Sequence, residues 1–213
     1  MTERLKQIFS SVPAGETFAD IGCDHGYIAK EMLSKGKCKK AIVSDISEKS
    51  LEKARNLLKT EILNGCAEAV VSDGFINVPF CDVALIAGLG GDEIIKILSD
   101  APFLPERLTL QPMKKSPKVR EFVVSIGYFI EEDRVFLEGH MFYDVIRLIK
   151  GKDSLSPEEI EFGRTNLVFP SDAFKKKIAW EIKSIDERIK AGGLKPHVLS
   201  AFIKKREELK KYV

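Results

Sequence analysis

A stretch near the amino terminus, residues 18 to 27, has the residue types of a ligand-binding turn. It reads FADIGCDHGY, so that a run of strand-type residues leads into Gly22 and Gly26. Glycines adopt backbone angles closed to other residues and let a ligand approach the main chain, and a helix that follows directs free amides at that ligand. The stretch predicts either a nucleotide-binding turn or an ordinary tight turn between a strand and a helix.

Two carboxylates in this turn narrow the choice of ligand. Asp24 occupies the middle glycine position of the dinucleotide pattern Gly-x-Gly-x-x-Gly, and Asp20 lies just upstream. Carboxylates repel phosphates and favour local positive charge, such as the ammonium and sulfonium groups of S-adenosylmethionine. We therefore expect S-adenosylmethionine rather than NAD, with Asp20 holding the loop or the ammonium group and the amides near Gly22 and Gly26 meeting its carboxylate or ribose side.

Acidic or glycine residues also follow the later predicted strands. Asp45 ends the second strand, where it could accept hydrogen bonds from ribose hydroxyls, and Asp73 follows the third, where it could meet an adenine edge. A second glycine-rich loop, residues 87 to 91, follows the fourth. Each could be a solvated strand end, but four together favour one pocket. The predicted cofactor-binding residues are Asp20, Gly22, Asp24, His25, Gly26, Asp45, Ile46, Asp73, Gly74, Ala87 and Gly88.

These loops need strands that end along one edge of a sheet. Residues 1 to about 150 alternate short β-branched runs with amphipathic segments, which predicts a parallel sheet covered by helices on both faces. A terminal hairpin without room for a helix is the ending expected of a class I methyltransferase sheet. The predicted elements are a leading helix through Leu5, Ile8, Phe9 and Val12, strands 17–21, 40–45, 69–72, 82–87 and 107–111, helices 48–63 and 116 to about 127, and hairpin strands 128–137 and 141–149.

The composition is that of an ordinary globular protein of 213 residues, with 44% hydrophobic residues and a formal net charge of +2. Its longest apolar runs, such as residues 83 to 89, are too short to span a bilayer, and the first residues lack the apolar core of a secretion signal. The four cysteines lie far apart without a Cys-x-x-Cys pair. We therefore expect free thiols, no metal site, no membrane partner and a cytoplasmic protein.

Three motifs together resemble the bacterial TrmK family, the tRNA methyltransferases that modify N1 of the adenine at tRNA position 22. They are ADIGCDHGY at residues 19–27, IAGLGG at 86–91 and LTLQP at 108–112, and the resemblance covers essentially the whole chain. The chain departs from the family at Cys23, in place of a hydroxyl residue, at Gly26, in place of alanine, and at Leu89, in place of methionine. Met113 replaces an asparagine and removes a polar group beside the expected target site.

The resemblance also implies where the target base binds. Gly88 and Leu89 occupy the position at which class I nucleic-acid methyltransferases place the loop that receives the base, and Gln111 could hydrogen-bond the same edge of the adenine. Gln111 could instead pair with a neighbouring turn. Because N1 of adenine is unprotonated at neutral pH, we expect positioning of a flipped base to dominate. The predicted catalytic residues are Gln111, Gly88 and Leu89.

The carboxy-terminal residues predict a basic helical hairpin with an apolar seam. From Asp172 onward twelve Lys and Arg stand against six Asp and Glu, so this part carries +6 and the rest of the chain carries −4. The seam is Ile178, Ile182, Ile185 and Ile189, continued after a turn at 191–193 by Leu199, Phe202, Leu209 and Val213. Candidate phosphate contacts are Lys114, Lys115, Lys175, Lys176, Lys177, Lys204, Lys205 and Arg206, with Lys210 and Lys211 beyond them.

The expected architecture is therefore α/β: a Rossmann-like, seven-stranded class I S-adenosylmethionine-dependent methyltransferase domain over residues 1–152, and a helical hairpin domain over residues 153–213. The first functional hypothesis is a tRNA adenine N1-methyltransferase whose hairpin contacts tRNA. The second is a methyltransferase of a small metabolite in which the hairpin only forms a dimer interface. The third is a non-catalytic RNA-binding module. The sequence leaves monomer and homodimer open.

Overall fold

The structure is a computed structural model that describes all 213 residues, and its centre is a single seven-stranded sheet. The strand order is β3-β2-β1-β4-β5-β7-β6, in which β1 to β5 are parallel and β7 is antiparallel to both of its neighbours. This confirms the predicted class I methyltransferase sheet. The strands are β1 (Thr17–Ile21), β2 (Lys40–Asp45), β3 (Ala67–Val71), β4 (Val83–Leu89), β5 (Arg107–Pro112), β6 (Tyr128–Glu138) and β7 (Met141–Lys150).

Ten α-helices cover the sheet and form the carboxy-terminal part of the chain. They are α1 (Glu3–Ser11), α2 (Tyr27–Ser34), α3 (Glu48–Leu57), α4 (Lys59–Leu63), α5 (Gly91–Ser99), α6 (Ser116–Ser125), α7 (Pro157–Phe162), α8 (Arg164–Val168), α9 (Asp172–Ala191) and α10 (Pro196–Leu209). Residues Lys210–Tyr212 add a short 3-10 turn. None of these helices is both long and apolar enough to cross a lipid bilayer.

Most predicted boundaries agree closely with the structure, and the differences include helix 48–63, the start of the third strand and the end of the fourth strand, which continues to Leu89. The predicted helix 48–63 is two helices, because the helical conformation is interrupted at Leu58, whose side chain is fully buried. Its predicted start is confirmed, since the Ser47 hydroxyl accepts from the Ser50 amide at 3.3 Å. The third strand begins at Ala67, two residues before its predicted start, because pairing with β2 extends from Ala41 to Asp45.

The sheet has an apolar core on each face. Its strand order also indicates where a ligand would bind. From β1 the chain continues to β2 and β3 on one side, and β4 and β5 lie on the other side of β1. The strand order therefore reverses between β1 and β4, and in open α/β sheets ligands bind beyond the carboxyl ends of the strands at such a point. The loops singled out by the sequence all lie at this edge.

The predicted helical hairpin is confirmed and consists of α9 and α10, which pack on each other, and α9 also packs on β6. The buried cluster joins Val135 of β6 to Phe174, Ile178, Ile185 and Leu209. The predicted seam is wrong at its last member, because Val213 is 60% exposed at the chain terminus. The proposed domain boundary at residue 152 stays a prediction.

Candidate active site

A cavity of about 530 Å³ lies at the carboxyl ends of the five parallel strands β1 to β5. Ten of the eleven predicted cofactor-binding residues line it, as do all three predicted catalytic residues. The lining residues from the prediction are Asp20, Gly22, Asp24, His25, Asp45, Ile46, Asp73, Gly74, Ala87, Gly88, Leu89 and Gln111. The fold therefore gathers residues spread over ninety positions of the sequence into one site.

The turn after β1 has the left-handed backbone that its glycines predict. The φ angle is +73° at Gly22, +48° at Asp24 and +72° at Gly26. The amides expected to meet a ligand, however, bond within the protein: Gly22 donates to the Ser44 carbonyl at 2.8 Å, and Gly26 donates to the Cys23 carbonyl at 3.0 Å. These two donors are therefore not free for a ligand, because the adjacent strand β2 and the turn itself satisfy them; contact of a ligand with other amides near Gly22 and Gly26 stays a prediction.

Gly26 is the one predicted cofactor residue that does not line the cavity. A Cβ built at this position would lie 3.2 Å from Cβ of Ala54 and 3.3 Å from Cδ1 of Leu58. Gly26 is the amino-terminal cap of α2, so a glycine here lets α2 approach α3 closely. Its role in the structure is helix packing around the turn rather than a surface of the cavity.

Asp24 lines the cavity and forms one ion pair, with Lys53, and one hydrogen bond, with His25. Its carboxylate accepts from Lys53 Nζ at 3.0 Å and from His25 Nδ1 at 2.7 Å. Burial opposes the change, but these two hydrogen bonds lower the pKa of Asp24. The negative charge of Asp24, which the sequence predicts to face the ligand, is therefore partly balanced by Lys53.

Asp20 is the buried acid of the site, with only 5% of its surface exposed. Burial, aided by the nearby charge of Asp45, raises its pKa to about 7, and a hydrogen bond from the Ala29 amide opposes the rise. Asp45 caps the next loop, because its carboxylate accepts from the Ser47 amide at 2.8 Å and from the Asp24 amide at 3.3 Å. These bonds hold the Asp45 carboxylate at the cavity wall.

The end of β3 forms a tight turn that closes another side of the cavity. The buried Ser72 hydroxyl donates to the Gly74 carbonyl at 2.9 Å and accepts from the Asn77 amide at 3.1 Å. Gly74 has a φ of +60° and packs on α5, since a Cβ here would lie 2.9 Å from Cγ2 of Ile97. Asp73, between them, is exposed and lies 3.7 Å from Lys96 Nζ.

The end of β4 leaves open space beside the turn after β1. The pairing of β4 with β5 is irregular between Ala87 and Leu89, and Gly88 between them has a φ of +81° with no atom near the position of a Cβ. The Leu89 side chain faces Gly22, with Cδ1 3.7 Å from where a Cβ of that glycine would be. The predicted loop 87–91 is thus partly strand, with its opening at Gly88.

Gln111, near the end of β5, is fully buried and lines the cavity. Its Nε2 contacts Met113 Sδ at 3.5 Å, while Oε1 has no hydrogen-bond partner in the chain. For the alternative that Gln111 pairs with a neighbouring turn, this weak contact with sulfur is the one supporting observation. A buried amide oxygen without a partner is costly, so it marks a place where a donor from a ligand would be stabilised.

Helix α1 also lines the cavity, which the sequence motifs did not indicate. Arg4, Leu5 and Ile8 come from its inner face, and Glu93 comes from α5. The spacing of Leu5 and Ile8 predicted an amphipathic helix but not the surface that it covers. Arg4 is the only arginine or lysine among the lining residues, beside the carboxylates of Asp20, Asp24, Asp45, Asp73 and Glu93.

The predicted phosphate contacts divide into free and paired side chains. Lys175 and Lys176 are exposed on α9, and neither they nor Lys114 lie in an ion pair. Lys177 is directed inward to Asp144 at 3.4 Å, so its prediction as a phosphate contact is not supported by its position. Five others lie in surface ion pairs: Lys115 with Asp92, Lys204 with Glu208, Lys205 with Glu161, Arg206 with Asp186 and Glu207, and Lys210 with Glu207, whereas Lys211 is exposed without one.

Two sequence relatives have names that refer to tRNA methylation. A Mycoplasma pneumoniae protein is 33% identical over 141 residues, which are 64% of this chain and 65% of the relative, and its assignment as a tRNA methyltransferase is provisional. The chain thus spans slightly less than two thirds of that relative's length. The tRNA (adenine(22)-N(1))-methyltransferase of Bacillus subtilis is 28% identical over 181 residues, which cover 83% of this chain and 76% of that protein.

A solved structure shares the fold over the full chain. The structure of Mycoplasma capricolum TrmK in complex with S-adenosylhomocysteine has a TM-score of 0.88 and 23% identity, and the match covers 100% of this chain and 97% of the other. The predicted resemblance to the TrmK family is confirmed in sequence by the B. subtilis protein and in fold by this structure. Residues 1–146 match the family model described as a methyltransferase domain, which spans the whole sheet up to β7. The chain therefore belongs to the methyltransferase domain family.

Proposed function

We propose that this protein transfers a methyl group from S-adenosylmethionine to N1 of the adenine at position 22 of tRNA. The observation that carries the proposal is the unpaired Gln111 carbonyl at the β5 end of an acidic cavity in a methyltransferase fold. The names of the B. subtilis and M. capricolum proteins support the substrate and the cofactor.

The cavity fits S-adenosylmethionine better than a dinucleotide. Five carboxylate residues line it against one arginine and no lysine, which disfavours a pyrophosphate and favours a ligand that carries positive charge. Asp45 would bind the ribose hydroxyls, Asp73 and Gly74 the adenine end, and Asp20 the ammonium group, directly or through the loop. S-adenosylmethionine supplies a methyl group on a positively charged sulfur.

The β4 and β5 ends would receive the target base. Adenine presents the N1 lone pair and the exocyclic amine on one edge, so an acceptor that binds the amine also positions N1. The Gln111 carbonyl oxygen is buried and unpaired, Gln111 lines the cavity, and Gly88, which also lines it, has no atom near the position of a Cβ. The chain therefore needs to hold and orient a base that is already unprotonated, and no strong general base is required.

The helical hairpin would hold the body of the tRNA. Lys175 and Lys176 present positive charge to solvent without a carboxylate partner, which suits phosphate contacts that do not depend on sequence. The protein would act where tRNA and reduced thiols occur together, in the cytoplasm, and all four cysteines are free.

Methylation of tRNA transcripts tests the proposal directly. Two transcripts that differ only in adenine or guanine at position 22 would be incubated with the protein and S-adenosylmethionine. We expect a methyl gain by mass spectrometry on the adenine transcript alone, and a primer-extension stop at position 22, because a methyl group on N1 blocks Watson-Crick pairing.

Two other outcomes would favour the alternative functions. Activity on small molecules that is insensitive to salt, without retention of tRNA, would indicate a metabolite methyltransferase. Retention of tRNA without calorimetric binding of S-adenosylmethionine would indicate a non-catalytic RNA-binding module. Either result contradicts the proposal.

A further inference from the structure

Arg4 is held at the mouth of the cavity by contacts with uncharged groups. Its Nη1 lies 3.8 Å from Met113 Sδ, and its Cζ lies 5.6 Å from the centre of the Tyr143 ring. The Arg4 amide donates to Glu138 Oε1 at 2.8 Å, which fixes the start of α1 on the β6–β7 hairpin. The side chain is thus held in place by contacts with β7 and the residue after β5, without pairing its charge.

No carboxylate oxygen lies within 4.0 Å of the Arg4 guanidinium, so Arg4 forms no ion pair. This is unusual in its surroundings, because five carboxylate residues line the same cavity. A guanidinium offers five donors in a planar fork that matches carboxylate and phosphate groups. Contacts with a ring and a sulfur orient that fork and leave most of its donors available to an anion.

Arg4 and Gln111 both contact the sulfur of Met113. This places the unpaired guanidinium at the target-base end of the cavity. Nε2 of Gln111 lies 3.5 Å from Met113 Sδ, the same sulfur that Arg4 contacts. The far end of the cavity, at Asp45 and Asp73, belongs to other strand ends. A group bound by Arg4 therefore lies beside the hydrogen-bond partner of Gln111.

We propose that Arg4 is an anion-binding residue of the active site, and that its position beside Gln111 assigns it to an anionic group next to the reacting centre. The two sources of such a group are the RNA phosphate that adjoins the flipped nucleotide and the carboxylate of the cofactor. The inference rests on the proposed function for the first source and only on cofactor binding for the second.

Three variants test the proposal: Arg4→Gln removes the charge, Arg4→Lys retains it, and Lys6→Gln removes an exposed charge from the same helix outside the cavity. If the anion is an RNA phosphate, Arg4→Gln raises the dissociation constant for tRNA about tenfold and reduces the salt slope by about 0.9, while Lys6→Gln does not. Arg4→Lys recovers part of the loss. Thermal unfolding of each variant checks that the fold is retained.

Binding of two cofactor analogues distinguishes the second source. If the anion is the cofactor carboxylate, Arg4→Gln weakens S-adenosylhomocysteine about tenfold and leaves 5′-methylthioadenosine, which lacks the carboxylate, unchanged. The proposal is overturned if Arg4→Gln and Lys6→Gln bind tRNA and both analogues equally. If the unmodified protein methylates no tRNA, the proposed function is wrong, but the role of Arg4 in binding the cofactor can still be tested. In that case, unchanged S-adenosylhomocysteine binding by Arg4→Gln would overturn this proposal as well.

Discussion

Nη2 of Arg120 donates to Oδ1 of Asp144 at 3.0 Å, in a position where the Arg120 side chain is 1% exposed. The same guanidinium donates to Asp133 and to the Ile160 and Glu161 carbonyls of α7, and the Asp144 carboxylate also accepts from Ser116 of α6 and from Lys177 of α9. This buried network attaches the helical part of the chain to the sheet.

Arg120→Met is expected to destabilise the protein by about 3–5 kcal/mol, because it leaves two buried carboxylates without their main partner. Urea unfolding measures the change. Arg55→Met is the matched control, since Arg55 pairs with Glu48 and Glu52 at the surface, and it should cost at most about 1 kcal/mol. Equal costs for the two variants would contradict the role assigned to the network.

The buried acid of the active site gives a prediction in pH. Burial raises the pKa of Asp20 from 3.8 to about 7, so the folded protein holds this proton more tightly than the unfolded chain. The folded state is therefore penalised as pH rises from about 4 to about 7, and the cost is fully present above 7.

Asp20→Asn should remove this dependence and leave the unliganded protein on the order of 2–4 kcal/mol more stable than the natural chain at pH 8.5, but not at pH 4. Denaturant unfolding at both pH values measures it, with Asp73→Asn, an exposed carboxylate at the same cavity, as control. The same variant should weaken S-adenosylhomocysteine, whose ammonium group would favour ionised Asp20. A stability difference that is independent of pH would refute this account.

The strands and the acidic strand ends were predictable because both follow from local pattern. Alternation of apolar runs set β1 and β2 at their observed limits, and the parallel sheet then brought Asp20 and Asp45 to one edge. The charge balance of the site was less predictable. Whether Asp24 faces a ligand or Lys53, and whether Lys177 faces RNA or Asp144, depends on neighbours far away in sequence.

Arg4 is the clearest example of a site residue that local sequence pattern does not predict. One arginine in an amphipathic helix carries no local signal, and it enters the site only because α1 packs on β5, β6 and β7. The paired amides of Gly22 and Gly26 have the same cause in part, since the Gly22 donor is satisfied by Ser44 on a neighbouring strand. Pattern identifies which residues lie at the edge, and tertiary packing decides which of their groups remain free.

Gly26, in the turn after β1, and Gly36, just after α2, have similar left-handed backbones, so a comparison of the two separates the effect of packing from that of conformation. Gly26 and Gly36 have φ angles of +72° and +65°, but only Gly26 has atoms near the position of a Cβ. Gly36→Ala should cost about 1 kcal/mol for the left-handed backbone alone. Gly26→Ala should cost at least about 1 kcal/mol more, because the new methyl group meets Ala54 and Leu58. Thermal and denaturant unfolding compare them, and equal costs would show that α2 and α3 can move apart freely.

Gln111→Met is expected to separate activity from stability. It removes the proposed acceptor for the adenine amine and keeps the length of the side chain, so kcat/KM for tRNA should fall about 10- to 100-fold with S-adenosylhomocysteine binding unchanged. Because Oε1 has no partner in the chain, the variant should be at least as stable as the natural protein. Thr109→Val changes a buried polar residue of the same strand outside the cavity and should retain full activity. A variant that is less stable but equally active would assign Gln111 a structural role.

The basic face of α9 is predicted to bind tRNA through side chains that are not already paired. Lys175 and Lys176 are exposed without ion pairs, whereas Lys204 and Lys205 lie near Glu208 and Glu161. The double variant Lys175→Gln/Lys176→Gln should therefore weaken tRNA binding more than Lys204→Gln/Lys205→Gln, and should reduce the salt slope by up to about 2. Trp180 provides the readout, since it is the only tryptophan, is 61% exposed and lies about one turn from Lys176 on the same helix. We expect its fluorescence to change on titration with tRNA at low salt. If both double variants lose affinity equally, net charge on the hairpin and not the unpaired lysines determines binding.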